Sequence, residues 1–108
     1  MATAREKMEQ AAKQITANAE NAKQIGAIYK FVLEGDGGGT WVMNFKDNPG
    51  VVEGEGEAQC TIKMAATDYV DMVEGKANGQ QLFFTGKLKI EGDMGLAMKL
   101  QKVSEMMR

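Results

Sequence analysis

The chain has 108 residues, with 13 basic and 15 acidic side chains, a formal net charge of −2 and no histidine. This length predicts a single domain over residues 1–108, and the lack of a basic surplus argues against nucleic acid as a partner. With no histidine and a single cysteine, Cys60, the chain lacks the usual general base, an internal disulfide and the usual zinc ligands, so we expect no metal and no cofactor.

The N-terminal segment, residues 3–22, predicts a helix. It is rich in Ala, Glu, Lys and Gln and contains neither Gly nor Pro. Thr3 and Glu6 have the spacing of a capping box. A narrow apolar stripe recurs every three or four positions, at Met8, Ala11, Ala12, Ile15 and Ala19. Such a helix should pack on one side of a sheet.

From Ala27 onward the apolar period changes to two, which predicts strands. The first strand places Tyr29 and Phe31 on one face, and residues 40–46 alternate in the same way. The glycine-rich stretch 35–39 lies between these two runs and lacks the Lys-Ser/Thr ending of a phosphate loop, so it predicts a hairpin turn.

The remaining chain alternates between short strand and helix patterns. In order, we predict a weak strand at 51–55, a strand at 57–64, a helix at 68–74 capped by Thr67 or Asp68, a helical turn at 78–84, a strand at 87–91, and a helix at 94–107 capped by Asp93. This pattern indicates an α+β fold, in which a mostly antiparallel sheet carries its helices on one face.

Few residues offer reactive chemistry. Cys60 lies on the apolar face of a predicted strand with no histidine to activate it, so we interpret it as a buried thiol and not as a nucleophile. Glu53, Glu55 and Glu57 would share one strand face as a solvated edge, with too few oxygens for a calcium site. The amide of Gln101 either faces water or meets a polar head group.

Four stretches of sequence resemble one known family, the sterol carrier protein-2 (SCP-2) domain. In the right order and over roughly residues 7–103, they are Ile25-Gly26 with the aromatic-rich strand that follows, Thr40-Trp41 with its strand, residues 60–65 with the following Asp68-Tyr69 and Gly75-Lys76, and residues 83–101. The resemblance is to the stand-alone form of the domain. It implies a five-stranded sheet with an apolar tunnel between the sheet and its helices. It also implies binding of long-chain fatty acids, fatty acyl-CoA, sterols or phospholipids, and no enzymatic activity.

The resemblance also implies a set of residues that line the lipid cavity. By position these are Phe31, Trp41, Met43, Phe45, Ile62, Met64, Met72, Val73, Leu82, Phe84, Leu88, Ile90, Met94, Met98, Leu100 and Gln101. Gln101 should lie near the mouth. Met106 and Met107 are expected to form a flap over the mouth, because chain ends fray easily.

The predicted function is therefore binding and transfer of lipids in the cytoplasm, or their presentation to an enzyme. The expected partners are a ligand with a long acyl chain or a sterol, and a transient membrane or acyl-CoA enzyme contact; we expect a monomer or weak dimer. In the alternative function, the chain is a structural or adaptor module that binds no lipid and docks on a partner through its methionine-rich C-terminal helix.

Overall fold

The computed structural model describes residues 2–107, which form two helices, four strands, two helices, a fifth strand and two further helices in chain order. The helices are α1 (Ala4–Ala17), α2 (Ala19–Lys23), α3 (Ala66–Val73), α4 (Gly79–Phe84), α5 (Met94–Ala97) and α6 (Leu100–Met106). The strands are β1 (Ala27–Glu34), β2 (Gly39–Phe45), β3 (Gly50–Glu53), β4 (Cys60–Ala65) and β5 (Leu88–Gly92). Within the described residues, no helix has the length and apolar character needed to cross a membrane.

The strands form one mixed sheet in the order β3-β2-β1-β4-β5. Three of its four pairings are antiparallel, and only β1 and β4 run parallel. The predicted α+β class, with five strands in a mostly antiparallel sheet, is confirmed. The hairpin predicted around residues 35–39 is confirmed as well, because β1 and β2 pair from Ala27 and Phe45 to Leu33 and Gly39.

The parallel pair arises because residues 54–59 carry the chain from β3 across the sheet to β4. Along this path Lys30 forms an ion pair with Glu55 at 3.2 Å, and a Cβ on Gly56 would lie 3.1 Å from Val42 Cγ2. Lys30 and Val42 are register partners whose side chains point away from the helices. The loop therefore crosses the face of the sheet that the helices leave open.

The end of β3 corrects one expectation about the acidic residues. The strand stops at Glu53, and Gly54 turns the chain with a φ of +121°, a conformation that favours glycine. Glu53 binds Arg5 of α1 through two hydrogen bonds of 2.7 and 2.8 Å, whereas Glu55 reaches Lys30 on the opposite face. The prediction that Glu53, Glu55 and Glu57 share one strand face is wrong.

The inward face of the sheet forms the core, as the alternation predicts. Its buried side chains come from four strands: Ala27, Tyr29, Phe31, Leu33, Trp41, Met43, Phe45, Cys60, Ile62, Met64 and Leu88. Helices α1, α3 and α6 pack on one another, with α1 against the edge strand β3 and α3 against β1 and β4, and α4 and α5 lie against β5. The middle strands therefore have a thick apolar cover, whereas β5 is covered only by two short helices.

The predicted N-terminal helix is interrupted at Asn18. The capping box at its start is confirmed, because the Glu6 amide donates to Thr3 Oγ1 and the Thr3 amide donates to Glu6 Oε1. Asn18 leaves the helical conformation, and its side-chain amide donates to the Gln14 carbonyl at 2.9 Å. Asparagine side chains compete in this way for backbone partners, which explains the break.

Two expectations about the later helices are also wrong. Helix α3 begins at Ala66 after Ala65, which makes no side-chain cap, so neither Thr67 nor Asp68 caps it. The predicted helix over residues 94–107 is broken at Met98 and Lys99, which separate α5 from α6. A single helix with apolar residues on more than one side needs burial in two directions. The break allows α5 to pack on β4 and β5 while α6 packs on α1 and α3.

Candidate functional site

An apolar cavity lies at the β5 edge of the sheet, beneath the two short helices. Its volume is about 180 Å³. It is lined by α4, by β5, and by the segment that runs from α5 into α6. The lining residues are Gly79, Gln80, Phe83, Phe84, Leu88, Ile90, Met94, Ala97, Met98, Leu100 and Gln101. Among these described residues only the two glutamines carry polar side chains, and none is ionisable.

Helix α4 forms one wall because its sequence caps it at both ends. Asn78 Oδ1 accepts hydrogen bonds from the amides of Gln80 and Gln81 at 2.8 and 3.3 Å, and the Thr85 hydroxyl donates to the Gln81 carbonyl at 2.9 Å. Leu82 is buried and anchors the helix in the core. Phe83 and Phe84 follow it directly and point away from the core, toward the cavity and the solvent.

The close approach of α4 to α6 depends on the small residue Gly79. A Cβ at this position would lie 3.3 Å from Leu100 Cδ2 and 3.5 Å from Met72 Sδ. The first of these distances is tighter than an ordinary van der Waals contact. Gly79 therefore lets the back wall of the cavity close against Leu100 and Met72.

Helix α5 forms the roof and is fixed to the sheet at its N-terminal end. Asp93 Oδ1 accepts from the amides of Gly95 and Leu96 at 2.8 and 3.3 Å, as expected of a helix cap. From the central strand, the Tyr29 hydroxyl donates to the Leu96 carbonyl at 2.6 Å. Burial of Tyr29 raises the pKa of its hydroxyl, so the group stays protonated and able to donate at neutral pH.

The mouth of the cavity exposes large apolar side chains. Phe84 is 81% exposed, Met98 78%, Met94 51% and Phe83 38%. Within residues 2–107 only one other large apolar side chain is comparably exposed, Val52 at 70%. A patch of exposed apolar side chains of this kind is typical of a binding surface.

A larger hollow of about 460 Å³ lies between the start of α1, the β1–β2 turn and α3. Its wall combines apolar residues such as Ala4 and Val70 with the charged side chains of Asp36, Asp71, Glu74 and Lys76, which a hydrocarbon guest would have to meet. Lys76 and Lys7 both form ion pairs with Glu74, which lowers the pKa of that carboxyl. We therefore take the apolar cavity at the β5 edge, and not this hollow, as the candidate site.

Cys60 is the cysteine of the inward face and offers no nucleophile to the cavity. It is fully buried and lies beside Tyr29 in the β1–β4 register. Burial, with a smaller effect of the negative charge on Asp93, raises the pKa of the thiol to about 11. At neutral pH the group is a protonated thiol packed in the core.

The structure divides the residues of the predicted lipid site into two groups. Seven of them line the cavity: Phe84, Leu88, Ile90, Met94, Met98, Leu100 and Gln101. The others are buried beside or behind it, beneath the thicker helical cover: Phe31, Trp41, Met43, Phe45, Ile62, Met64, Met72, Val73 and Leu82. Contact of this second group with a guest stays a prediction.

Gly79, Gln80, Phe83 and Ala97 also line the cavity, although the predicted site does not include them. The helical spacing in α4 could have indicated that Gln80 and Phe83 share a wall with Phe84, because residues three and four apart lie on one helix face. The expected flap is wrong. Met107 is fully buried, and its sulfur lies 3.8 Å from the Tyr69 hydroxyl in the core.

Comparison with known proteins places this architecture in a family. The model of the SCP-2 sterol transfer family matches residues 7–105. The chain belongs to the SCP-2 sterol transfer family. The chain is 48% identical over 89 residues to Sterol carrier protein 2 of Rattus norvegicus, and the match covers 78% of the chain and 16% of that protein. The chain thus spans about a sixth of the length of this relative.

Two solved SCP-2 structures share the fold. Sterol carrier protein 2 from Yarrowia lipolytica, in its apo form, superposes with a TM-score of 0.80 at 27% identity, covering 92% of this chain and 87% of that one. The sterol carrier protein domain 2 of Helicoverpa armigera gives 0.74 at 37% identity, covering 93% and 84%. The five-stranded sheet with its helices is therefore the SCP-2 fold.

Proposed function

We propose that this chain is a lipid carrier that holds one lipid molecule by its hydrocarbon part in the cavity between α4, β5 and α5. The observation that carries the proposal is the apolar lining, open to solvent through Phe83, Phe84, Met94 and Met98. Exposing these side chains to water is costly, and a hydrocarbon guest covers them. Membership of the SCP-2 sterol transfer family supports the same function.

The ligands we propose are long-chain fatty acids, fatty acyl-CoA, sterols and phospholipids. Each combines a hydrocarbon part with a polar end, and the cavity has the matching polarity, with Gln80 and Gln101 as its polar side chains. A head group at the mouth would accept hydrogen bonds from these amides. The flexible walls of Met94 and Met98 favour tolerance among guests, since methionine repacks easily.

The size of the cavity requires the walls to move. At about 180 Å³ it is smaller than the roughly 300–1,000 Å³ of typical ligand sites. A long acyl chain must therefore displace the exposed side chains of Phe84 and Met98 or reach past Gly79 toward Met72. Burial of a 16-carbon chain contributes about 12 kcal/mol, and lost translational and rotational freedom costs at least about 4 kcal/mol. The surplus is therefore at most about 8 kcal/mol, which corresponds to a Kd of about 1 μM.

We propose a carrier and not an enzyme. Among the described residues that line the cavity no side chain is ionisable, so the wall supplies no general acid, base or nucleophile. The raised pKa of Cys60, about 11, keeps that buried thiol protonated. We also propose that the protein acts in the cytoplasm and that it is a monomer or a weak dimer.

Titration with a fluorescent fatty acid tests the function. We expect one probe per chain and displacement by unlabelled acyl compounds, with affinity rising by up to about fourfold per added methylene while the chain is buried. Native mass spectrometry of the purified protein should find retained or added lipid. If no acyl compound of about twelve to eighteen carbons displaces the probe and no lipid binds, the carrier function is refuted. A docking role of the methionine-rich C-terminal segment would then be the remaining candidate.

A further inference from the structure

The methionines of this chain differ sharply in exposure. The chain has nine methionines, and the structure describes all except Met1. Those that are fully or almost fully buried are Met8, Met43, Met64, Met72 and Met107. Met106 is partly buried against the core, whereas Met94 and Met98 are largely exposed and both line the apolar cavity. Within residues 2–107, a reagent in solution therefore meets methionine first at the mouth of the cavity.

Met94 and Met98 lie at the two ends of the roof helix. Met94 is the first residue of α5, and Met98 directly follows its last residue, Ala97. Residues four apart lie on the same helix face, in agreement with the contact of both side chains with the cavity. A guest in the cavity therefore covers both thioethers.

A thioether that solvent reaches is open to oxidation by a peroxide. The sulfur lone pair attacks one oxygen of hydrogen peroxide and the O–O bond breaks. The departing hydroxide takes the proton of the transferred hydroxyl and becomes water, so the sulfur has lost two electrons to the peroxide. The step needs no general base and no thiolate, which suits a cavity wall whose described residues carry no ionisable side chain.

The other sulfur atoms of the described chain are protected. Cys60 is fully buried, and burial raises the pKa of its thiol to about 11, so little of the reactive thiolate forms at neutral pH. The sulfurs of Met8 and Met107 lie 3.3 and 3.8 Å from the Tyr69 hydroxyl in the core. Their oxidation would require the core to open, so packing makes the two cavity methionines the reactive ones.

A sulfoxide at the mouth opposes the binding of a hydrocarbon. Oxidation turns a flexible apolar side chain into a polar one. A guest would then press the sulfoxide oxygen against apolar walls, which is costly unless that oxygen keeps a hydrogen bond. The donors in the lining are the amides of Gln80 and Gln101, the same groups that we assign to the lipid head group. The sulfoxide therefore removes apolar contact and competes for the head-group donors.

We propose that Met94 and Met98 are sites of reversible oxidation by peroxides, and that their conversion to sulfoxides releases the bound lipid. The inference rests on the proposed function, since it assigns a regulation to the same cavity. Because a bound lipid covers both side chains, it should also slow their oxidation. Methionine sulfoxide reductases reverse the modification, so binding should recover.

Treatment of the purified chain with hydrogen peroxide, followed by peptide mass spectrometry, tests the sites. We expect Met94 and Met98 to oxidise at least about tenfold faster than Met43 and Met72, with an unchanged circular dichroism spectrum. A saturating fatty acid should slow the oxidation of both by about threefold or more. Equally fast oxidation of the buried methionines, or no protection by the fatty acid, would overturn the assignment.

Titration with a fluorescent fatty acid before and after peroxide tests the regulation, and each chain serves as its own reference. The affinity of the parent chain should fall about tenfold or more and recover with methionine sulfoxide reductases A and B. The affinity of Met94→Leu/Met98→Leu should change by less than about twofold on the same treatment. Met106→Leu, which removes a methionine outside the cavity, should respond as the parent does.

Failure of the regulation can be told apart from failure of the carrier function. If the untreated parent chain binds no fatty acid, the carrier function fails and its regulation fails with it. If the parent chain binds, and complete oxidation of Met94 and Met98 leaves its affinity unchanged, only the regulation is overturned. An equal loss of affinity in the parent chain and in the double leucine variant also overturns it, because the loss then comes from other residues.

Discussion

The Tyr29 hydroxyl donates a 2.6 Å hydrogen bond to the Leu96 carbonyl, and this bond ties the roof of the cavity to the central strand of the sheet. Tyr29 itself is fully buried and packs edge to face on Phe45, with ring centroids 5.8 Å apart. The position of the roof is therefore set by one of the fully buried aromatic side chains of the core.

Removing this bond with Tyr29→Phe should cost about 0.5–1.5 kcal/mol of unfolding free energy, because the ring still packs and only the hydroxyl is lost. The loosened roof should also release lipid faster. Urea denaturation and stopped-flow release of a fluorescent fatty acid measure the two effects. Tyr69→Phe is the control, since its hydroxyl bonds the sulfurs of Met8 and Met107 away from the cavity. Equal release rates in both variants would contradict the role of the Tyr29 bond.

A charge at the mouth of the cavity should weaken lipid binding. Phe84→Asp and Met98→Asp each remove apolar contact with the guest and place a carboxylate at the mouth, so we expect affinity for a fatty acid to fall about tenfold or more. Both side chains are largely exposed, so the unfolding free energy should change little. Val52→Asp, at a 70% exposed position in β3, is the control. Unchanged affinity in both Phe84→Asp and Met98→Asp would show that the cavity is assigned wrongly.

Filling the cavity should reduce lipid binding without loss of stability. Ala97 lines the roof, and Ala97→Leu adds three carbons to a space of about 180 Å³. Because the added side chain replaces the guest in contacting the walls, we expect fatty acid affinity to drop about tenfold while the unfolding free energy is maintained or rises. Ala12→Leu, at a half-buried position of α1, is the matched substitution. The prediction fails if Ala97→Leu binds as tightly as the parent chain.

The stability of the protein should decrease in alkaline solution because of Cys60. Its pKa is raised to about 11 from an ordinary value of 9.0, so the unfolded chain loses the thiol proton before the folded one does. The contribution of the protonated thiol to the free energy of unfolding is fully present below about pH 9 and is lost between about pH 9 and 11. The loss is about 1 kcal/mol at pH 10.

Urea denaturation at neutral pH and at about pH 10 measures this loss, and Cys60→Ala should lose less stability over the same interval. Tyr69 ionises alike in both chains, whereas Cys60 contributes to the raised pKa of Tyr29, so the difference reports the thiol together with its interaction with Tyr29. The same decrease in the parent chain and the variant would mean that Cys60 ionises no later in the folded state than in the unfolded one.

The strands and their buried faces could be predicted from the sequence because period-two alternation depends only on neighbouring residues. Tyr29, Phe31, Trp41 and Met43 lie on the inward face as that pattern indicates. The helix breaks at Asn18 and Met98 could not be predicted, since both depend on competing backbone partners and on where packing surfaces lie in space.

The extent of the cavity could not be predicted from the sequence either. Alternation assigns Ile62 and Ile90 to the same face, and the two are register partners in β4 and β5. Ile90 lines the cavity, whereas Ile62 is fully buried. The difference arises from the thickness of the helical cover above each strand, which is a property of tertiary packing and not of residue pattern.

Gln59 connects the roof of the cavity to the central strand through two hydrogen bonds. Its side-chain oxygen accepts the Ile28 amide at 2.7 Å, and its carbonyl accepts the amide of Asp93, the residue that caps α5. The start of the roof is thus pinned to the same point as the start of the central strand, and Leu96 is pinned one turn later by Tyr29. The opposite end of the roof is the break at Met98 and Lys99, both exposed to solvent, so a guest that displaces the roof should move this end and leave Asp93 in place.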